Sequence, residues 1–186
     1  QNINVISQVN DLIQYYITLP NTIILAVVPC NQDIATIDIL ERASLADPQG
    51  IRTLGVLTKP DLIGPGSEDE VVEVLLNKRK PLRLGYIMVK NSSQKQLNEK
   101  VTIAEARAEE DKFFSTHSVF AKYQDKNLLG TNNLTVHLTK LLVGHIQSTL
   151  PSLIRELRAL SASCKQELST IGEGDEDENE EDILQS

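Results

Sequence analysis

The stretch RTLGVLTKPD, residues 52–61, predicts a buried β-strand that ends in a polar turn. Its apolar part is short and continuous, as is typical of a strand covered on both faces. Two other segments have the same character: TIILAVVP at residues 22–29 and LGYIMVK at residues 84–90. We expect residues 22–29 to form a central strand, buried on both faces of a sheet.

Helical segments separate these three strands. Apolar residues recur at spacings of three and four over residues 33–46, and SEDE, residues 67–70, has the form of a capping box before a further helix. Strands that alternate with helices indicate βαβ units, and therefore a parallel sheet with helices on its faces. The predicted fold class is α/β.

Polar residues follow each predicted strand. The three segments are PCNQD at 29–33, TKPD at 58–61 and NSSQ at 91–94. Ligands of open α/β sheets bind beyond the carboxyl ends of the strands. The sequence therefore predicts a binding site at one edge of the sheet.

The rest of the chain is helical in pattern. Residues 2–18 predict an amphipathic helix, and TIAE, residues 102–105, is a second capping box. A long helical pattern starts near Leu134, and we expect Pro151 to interrupt it because proline removes a helix hydrogen bond. Leucines then continue at spacings of three and four to Ile171, as in helices that pack on other helices.

Composition excludes several classes of function. The net charge of −8 comes from EGDEDENEED, residues 173–182, which holds 8 acids, while the remainder carries 18 acids and 18 bases. This remainder offers no broad basic face for nucleic acid. No run approaches the roughly 18 apolar residues that span a bilayer. Cys30 and Cys164 lack a metal-like spacing and favour a reducing compartment, which we expect to be the cytoplasm.

The TKPD segment matches the guanine-recognition motif [N/T]-K-x-D. A carboxylate at Asp61 can accept both the ring N–H and the exocyclic amine of guanine. The aliphatic stem of Lys59 can lie along the base. A capped turn is the alternative explanation of these four residues, and the position at a strand end favours the nucleotide.

Three long blocks extend this match. LAVVPCNQDIATIDIL, DPQGIRTLGVLTKPDLIGPG and GYIMVKNSSQK resemble consecutive blocks of the dynamin superfamily of large GTPases, and VVPCNQDIAT with TKPD is most similar to its Mx branch. The resemblance implies the C-terminal half of a dynamin-type GTPase domain at residues 1–150. It further implies a helix of the bundle signalling element at 151–172 and an acidic hinge or linker at 173–186.

The resemblance also implies roles for particular residues. The expected nucleotide-binding residues are Thr58, Lys59, Pro60, Asp61, Asn91, Ser92, Ser93 and Gln94. Ser92 stands where an arginine is expected, which predicts looser nucleotide binding. Asp33 corresponds to a contact between GTPase domains, with a helix N-cap as the alternative. Pro151 corresponds to a hinge.

The sequence lacks the parts that break the nucleotide. No G-x-x-x-x-G-K-[ST] phosphate loop occurs in the 186 residues. The resemblance implies that the catalytic residues and the Mg²⁺ ligands lie upstream of Gln1, so we expect this piece of a longer protein to be inactive alone. The intact protein is then expected to be a self-assembling GTPase of the Mx antiviral type. A membrane-remodelling dynamin and a non-hydrolysing interaction module are the alternatives, with viral nucleoprotein, membranes and microtubules as candidate partners.

Overall fold

The structure is a computed structural model that describes residues 2–34 and 37–171. The chain divides into two compact units, Gln1–Leu142 and Val143–Ser186. The acidic segment at 173–182 lies outside the described residues. Within the described residues, no helix is both long enough and apolar enough to cross a membrane.

Helices and strands alternate through most of the first unit. In chain order they are α1 (Asn2–Thr18), β1 (Ile24–Pro29), α2 (Asp38–Ala46), β2 (Thr53–Thr58), α3 (Glu68–Leu75), β3 (Tyr86–Met88), α4 (Gln94–Asn98), α5 (Ile103–Thr116) and α6 (Thr131–Ile171). Short 3₁₀-helices lie at Pro60–Leu62 and Phe120–Lys126. The predicted α/β class and the long C-terminal helix are confirmed.

The strands form a parallel sheet in the order β1-β2-β3. Pro29 pairs with Thr58, and Leu57 pairs with Met88. A short segment before α6 extends the sheet beyond β3, because the Met88 N–H donates to Leu128 O at 2.8 Å and the Gly130 N–H donates to Met88 O at 2.8 Å. The parallel sheet predicted from the alternation of elements is therefore present.

The two faces of the sheet are covered by different helices. On one face, Leu134, Leu138 and Leu141 of α6 pack on buried residues of β2 and on β3 with its continuation. The opposite face carries the larger core, to which α2, α3, α5 and the second 3₁₀-helix contribute. Every residue of β2 is buried, so β2 is the central strand of the sheet.

The expectation that residues 22–29 form a central strand buried on both faces is wrong. Burial alternates along β1, where Leu25 is 44% and Val27 is 47% exposed. These two residues pair with Leu54 and Val56, which α6 covers, but the α6 leucines do not extend over β1. β1 is an edge strand with one uncovered apolar face.

Gly55 permits β2 and β3 to approach closely. A Cβ added at Gly55 would lie 2.1 Å from Cδ1 of Tyr86, whose ring is buried. The Tyr86 hydroxyl donates to Lys80 O at 2.5 Å, and burial raises the pKa of Tyr86 to about 12. The aromatic ring thus occupies the space that any larger residue at position 55 would need.

Two predicted helix starts differ from the structure. α2 begins at Asp38 instead of near residue 33, with Ile37 as its N-cap and no side-chain cap hydrogen bond. The capping box at Ser67 is absent, since its side chain caps no amide and the Glu68 carboxylate instead accepts from the Gly66 N–H at 2.8 Å. The capping box between Thr102 and Glu105 is confirmed.

α6 continues through the predicted interruption. Pro151 lies inside the helix, which runs from Thr131 to Ile171. Hydroxyl groups around the proline donate to helix carbonyls: Ser148 to His145 O at 2.8 Å and Ser152 to Thr149 O at 2.7 Å. The hinge role of Pro151 stays a prediction.

Candidate functional site

The carboxyl ends of all three strands meet at one edge of the sheet. The parallel register continues past β1 and β2, where the Cys30 N–H donates to Thr58 O at 2.7 Å. It also continues past β3, where the Val89 N–H donates to Leu57 O at 2.8 Å. The polar segments at 29–33, 58–61 and 91–94 therefore leave the sheet at the same edge, as the sequence predicted.

The four residues of the TKPD segment have distinct environments. Thr58 is buried as the last residue of β2, and its hydroxyl lies 3.5 Å from Val28 O. Pro60 is buried at the first position of the 3₁₀-helix Pro60–Leu62. Lys59 and Asp61 are both exposed. Thr58 and Pro60 of this stretch are thus buried, while the ammonium group of Lys59 and the carboxylate of Asp61 face the solvent.

Lys59 has an uncommon backbone conformation. Its φ of 56° and ψ of 47° lie in the left-handed region, directly before a proline. A residue with a β-carbon adopts this region at a cost, and such residues concentrate at functional sites. The turn closes through the Leu62 N–H, which donates to Lys59 O at 3.1 Å.

Cys30 is the buried neighbour of this edge. Burial, and secondarily the charge of Asp61, raise the pKa of the Cys30 thiol to about 12. A thiol with so high a pKa is a poor nucleophile at neutral pH. Cys30 is therefore a packing residue.

Residues 91–94 divide into two pairs. Asn91 and Ser92 line a cavity of about 230 Å³, together with Lys90, Ile103, Ala106, Arg107, Glu110 and Thr131. Ser93 is the N-cap of α4, and it forms a reciprocal capping box with Gln96. The side-chain amide of Gln94 donates to Asn98 Oδ1 at 3.1 Å. Two of the four side chains thus make local helix contacts, and two face a cavity.

Asp33 lies at the same edge and is not the N-cap of α2. The alternative role as an N-cap of α2 is wrong, because α2 starts five residues later, at Asp38. An oxygen of Asp33 lies 4.0 Å from Nη2 of Arg79, which also pairs with Glu70 at 3.4 Å. These charged residues line a cavity of about 210 Å³, to which Asn31 and Gln32 also contribute. The contact between GTPase domains remains a prediction for Asp33.

Sequence reasoning overlooked two charged residues at this edge. Arg79 follows α3 in a basic loop and gave no distinct signal. Glu110 is only 2% exposed, and it lies between Ala106 and Phe114 at helical spacing. An acid in line with apolar residues on a helix was the signal that could have identified it.

The described part of the chain holds no cluster of metal-ligating side chains. Within residues 2–34 and 37–171, no group of three or more His, Cys, Asp or Glu side chains could hold a metal ion. The Mg²⁺ ligands expected upstream of Gln1 stay a prediction.

Comparisons with known proteins agree with the fold. A model described as "Dynamin family" matches residues 2–60, and one described as "Dynamin central region" matches residues 70–186. The "Interferon-induced GTP-binding protein MxB" of Danio rerio is 41% identical over 92% of this chain and 27% of its own length. The Mx protein of Siniperca chuatsi is 42% identical over the same shares.

A third relative covers more of the chain. The "Interferon-induced GTP-binding protein Mx3" of Oncorhynchus mykiss is 39% identical over 97% of this chain and 29% of its own length. The chain thus spans little more than a quarter of the length of these relatives. The matched models and the identities over nearly the whole chain give one conclusion: this chain belongs to the dynamin superfamily, in which it is Mx-like.

Proposed function

We propose that this chain supplies the guanine-recognition half of the GTP site of a dynamin-type GTPase. The observation that carries the proposal is the shared sheet edge, where residues 58–61 and 91–94 emerge from neighbouring parallel strands. This is the edge at which α/β proteins bind nucleotides. The names of the relatives, which are GTP-binding proteins, favour the same ligand.

Each residue of the first segment has a chemical role in this proposal. The exposed carboxylate of Asp61 accepts the ring N–H and the exocyclic amine of guanine. The exposed stem of Lys59 covers the base, and the buried Thr58 holds the end of β2 against β1. Pro60 restricts the backbone of the turn between Lys59 and Asp61.

The second segment closes the other side of the base. We propose that Asn91 and Ser92 contact the nucleoside through the cavity that they line, while Ser93 and Gln94 shape the loop as the start of α4. Ser92 is a short neutral side chain that cannot stack on a base. The affinity for guanine nucleotides is therefore modest.

Hydrolysis needs parts that these residues do not supply. A phosphoryl-transfer site requires a phosphate cradle, a metal ion and a positioned water. The 186 residues contain no phosphate-loop motif, so the chain alone recognises guanine without hydrolysing GTP. The whole protein, with GTP and Mg²⁺, acts as a self-assembling cytoplasmic GTPase of the Mx antiviral type.

Labelled GTP and ATP, titrated onto two proteins, test this proposal. One is the chain itself, and the other carries at its amino end the residues that precede the matched region in the Danio rerio relative. We expect weak guanine-selective binding by the chain, and tight binding with turnover by the extended protein. Equal affinity for GTP and ATP in both proteins would contradict the proposal.

The second unit supports one alternative. Leu157, Leu160 and Leu168 of α6 are 65%, 62% and 67% exposed, so this helix offers an apolar stripe to other helices. A non-hydrolysing interaction module would use that stripe without nucleotide. Binding of neither nucleotide and no turnover in the extended protein, together with helix-mediated association, would favour this alternative.

A further inference from the structure

Glu110 of α5 has a buried carboxylate that joins two distant segments of the chain. Oε1 accepts the N–H of Lys90 at 2.7 Å. Oε2 accepts both the N–H of Thr131 at 2.9 Å and its hydroxyl at 2.6 Å. A carboxylate that is only 2% exposed is tolerated when its oxygens are hydrogen-bonded in this way.

The segment that follows β3 and the segment that precedes α6 separate next to this carboxylate. Residues 128–130 run beside the end of β3, held by hydrogen bonds to Met88. Beyond Met88, one segment continues through Lys90 into residues 91–94, and the other becomes the first turn of α6. Gly130 has a φ of 91°, and a Cβ added there would lie 3.9 Å from Oε2 of Glu110. Gly130 therefore lies next to the carboxylate.

A negative charge on Glu110 is favourable at this position. Thr131 is the first residue of α6, and the positive end of a helix dipole stabilises a carboxylate at such a place. The ammonium group of Lys90 lies 5.7 Å from the centre of the Phe113 ring. The lysine thus packs on α5 beside Glu110 while its backbone N–H binds the carboxylate.

We propose that Glu110 is the positioning residue of the loop at residues 91–94, and that it links this loop to the first turn of α6. Its hydrogen bond to the Lys90 N–H holds the residue that precedes Asn91, and it lines the same cavity as Asn91 and Ser92. Because one carboxylate holds both segments, nucleoside binding at the loop and order in the first turn of α6 are thermodynamically linked. This inference rests on the proposed recognition of guanine by that loop.

Three substitutions separate this role from a general contribution to stability. In Glu110→Gln the side chain keeps its size, but its amide nitrogen cannot accept the two hydrogen bonds from Thr131. Thr131→Val removes only the hydroxyl donor and leaves the carboxylate in place. Asp125→Asn removes one charge from an exposed residue of the second 3₁₀-helix and is the matched control.

The experiment follows amide exchange and GDP titration of the 186-residue chain by NMR. In Glu110→Gln we expect exchange about tenfold faster at Thr131, which loses its acceptor, and faster by a smaller factor at Lys90, whose acceptor loses its charge. Exchange in β2 should change much less. GDP affinity should fall by about threefold to tenfold relative to Asp125→Asn. Thr131→Val should give smaller changes at the same amides, and it carries the test if Glu110→Gln does not fold.

Several outcomes would overturn the inference. A merely structural role would speed exchange by one common factor throughout β2 and the loop. Unchanged exchange at Lys90 and Thr131, or equal GDP affinity in Glu110→Gln and the control, would also contradict it. If the unaltered chain shows no GDP-dependent shifts at residues 58–61 and 91–94, the proposed function itself fails. If it shows them and Glu110→Gln responds equally, only the role of Glu110 fails.

Discussion

Lys59 combines an unfavourable backbone with an exposed side chain. For a residue with a β-carbon, the left-handed conformation costs about 1–2 kcal/mol. Glycine removes that cost but adds about 0.5–1 kcal/mol of unfolded-state entropy. We therefore predict that Lys59→Gly leaves the free energy of unfolding unchanged or raises it by up to about 1 kcal/mol. Urea denaturation measures this change. The affinity for guanine nucleotides should fall, because the lysine stem that covers the base is removed.

Lys100 provides the control for this substitution. It is also an exposed lysine with positive φ, at 54°, but it follows α4 and is not part of the TKPD segment. Lys100→Gly should have the same small effect on stability and none on guanine binding. A marked loss of stability in Lys59→Gly alone would show that its backbone is held by its side chain.

Ser92 explains the modest affinity expected of the chain. Ser92→Arg introduces a planar cation that can stack on a base, with a gain of about 1 kcal/mol or more. We predict roughly fivefold tighter binding of labelled GDP in the extended protein. An arginine placed at exposed Lys95 instead should leave the affinity unchanged. Equal affinity of Ser92→Arg and the parent would remove Ser92 from the site.

Asp47 makes the stability depend on pH. Burial raises its pKa, but hydrogen bonds from Thr53, Arg52 and Ile51, with the charge of Arg52, outweigh burial and lower the pKa below 3.8. Because the folded pKa is the lower one, this contribution is complete above about pH 4 and is lost as the pH falls through the folded pKa.

Asp47→Asn tests that contribution. We predict a loss of about 2 kcal/mol at pH 7, because buried hydrogen bonds at 2.7 and 3.0 Å lose their charged acceptor. Urea denaturation from pH 7 to pH 3 should show a shallower acid dependence than in the parent. Asp125→Asn, at an exposed acid, should retain the parent's slope.

At the scale of elements, the packing of β2 against β3 depends on Gly55. Gly55→Ala would place a methyl group 2.1 Å from the buried ring of Tyr86, so the ring or a strand must move. We predict a loss of about 2–3 kcal/mol in the free energy of unfolding. Gly64→Ala, whose Cβ would meet nothing within 4 Å, should change stability by less than about 1 kcal/mol. A similar result for both variants would contradict this packing.

The order of the elements was predictable from periodicity, but the burial of their side chains was not. The bounds of α1 and β2 lie within a residue of those expected, because apolar spacing is a local property. The exposure of Leu25 and Val27 depends on how far α6 extends across the sheet, which no local pattern records. Pro151 was expected to interrupt a helix that continues through it.

In the candidate site, too, one feature was predictable from the sequence and another was not. The polar strand ends were predictable from the topology of a parallel sheet. Glu110 was not, because its role depends on a helix, a strand end and the start of α6 meeting at one carboxylate. The absent cap at Ser67 and the confirmed cap at Thr102 share one motif, so the motif alone did not decide the contact.

The whole molecule carries apolar surface beyond its own core. Ile6, Leu12 and Tyr16 of α1 are more than half exposed, and the uncovered face of β1 lies beside a cavity of about 300 Å³ near α1 and α2. The expected amphipathic helix at 2–18 is thus present, with its apolar residues uncovered. The chain spans 27% of the Danio rerio relative, and exposed surface of this kind is typical of interaction sites.

Asp61 is the residue through which we propose that this chain recognises guanine. An asparagine there can donate from its amide nitrogen and accept at its oxygen, which complements xanthine, whose second carbonyl replaces the exocyclic amine of guanine. Binding of GTP and xanthosine triphosphate is therefore to be measured in the extended protein, with Asp61→Asn and the control Asp69→Asn on α3. We predict that Asp61→Asn loses at least about a hundredfold in GTP affinity and gains affinity for xanthosine triphosphate, while the control matches the parent. Undiminished GTP binding by Asp61→Asn would contradict the account.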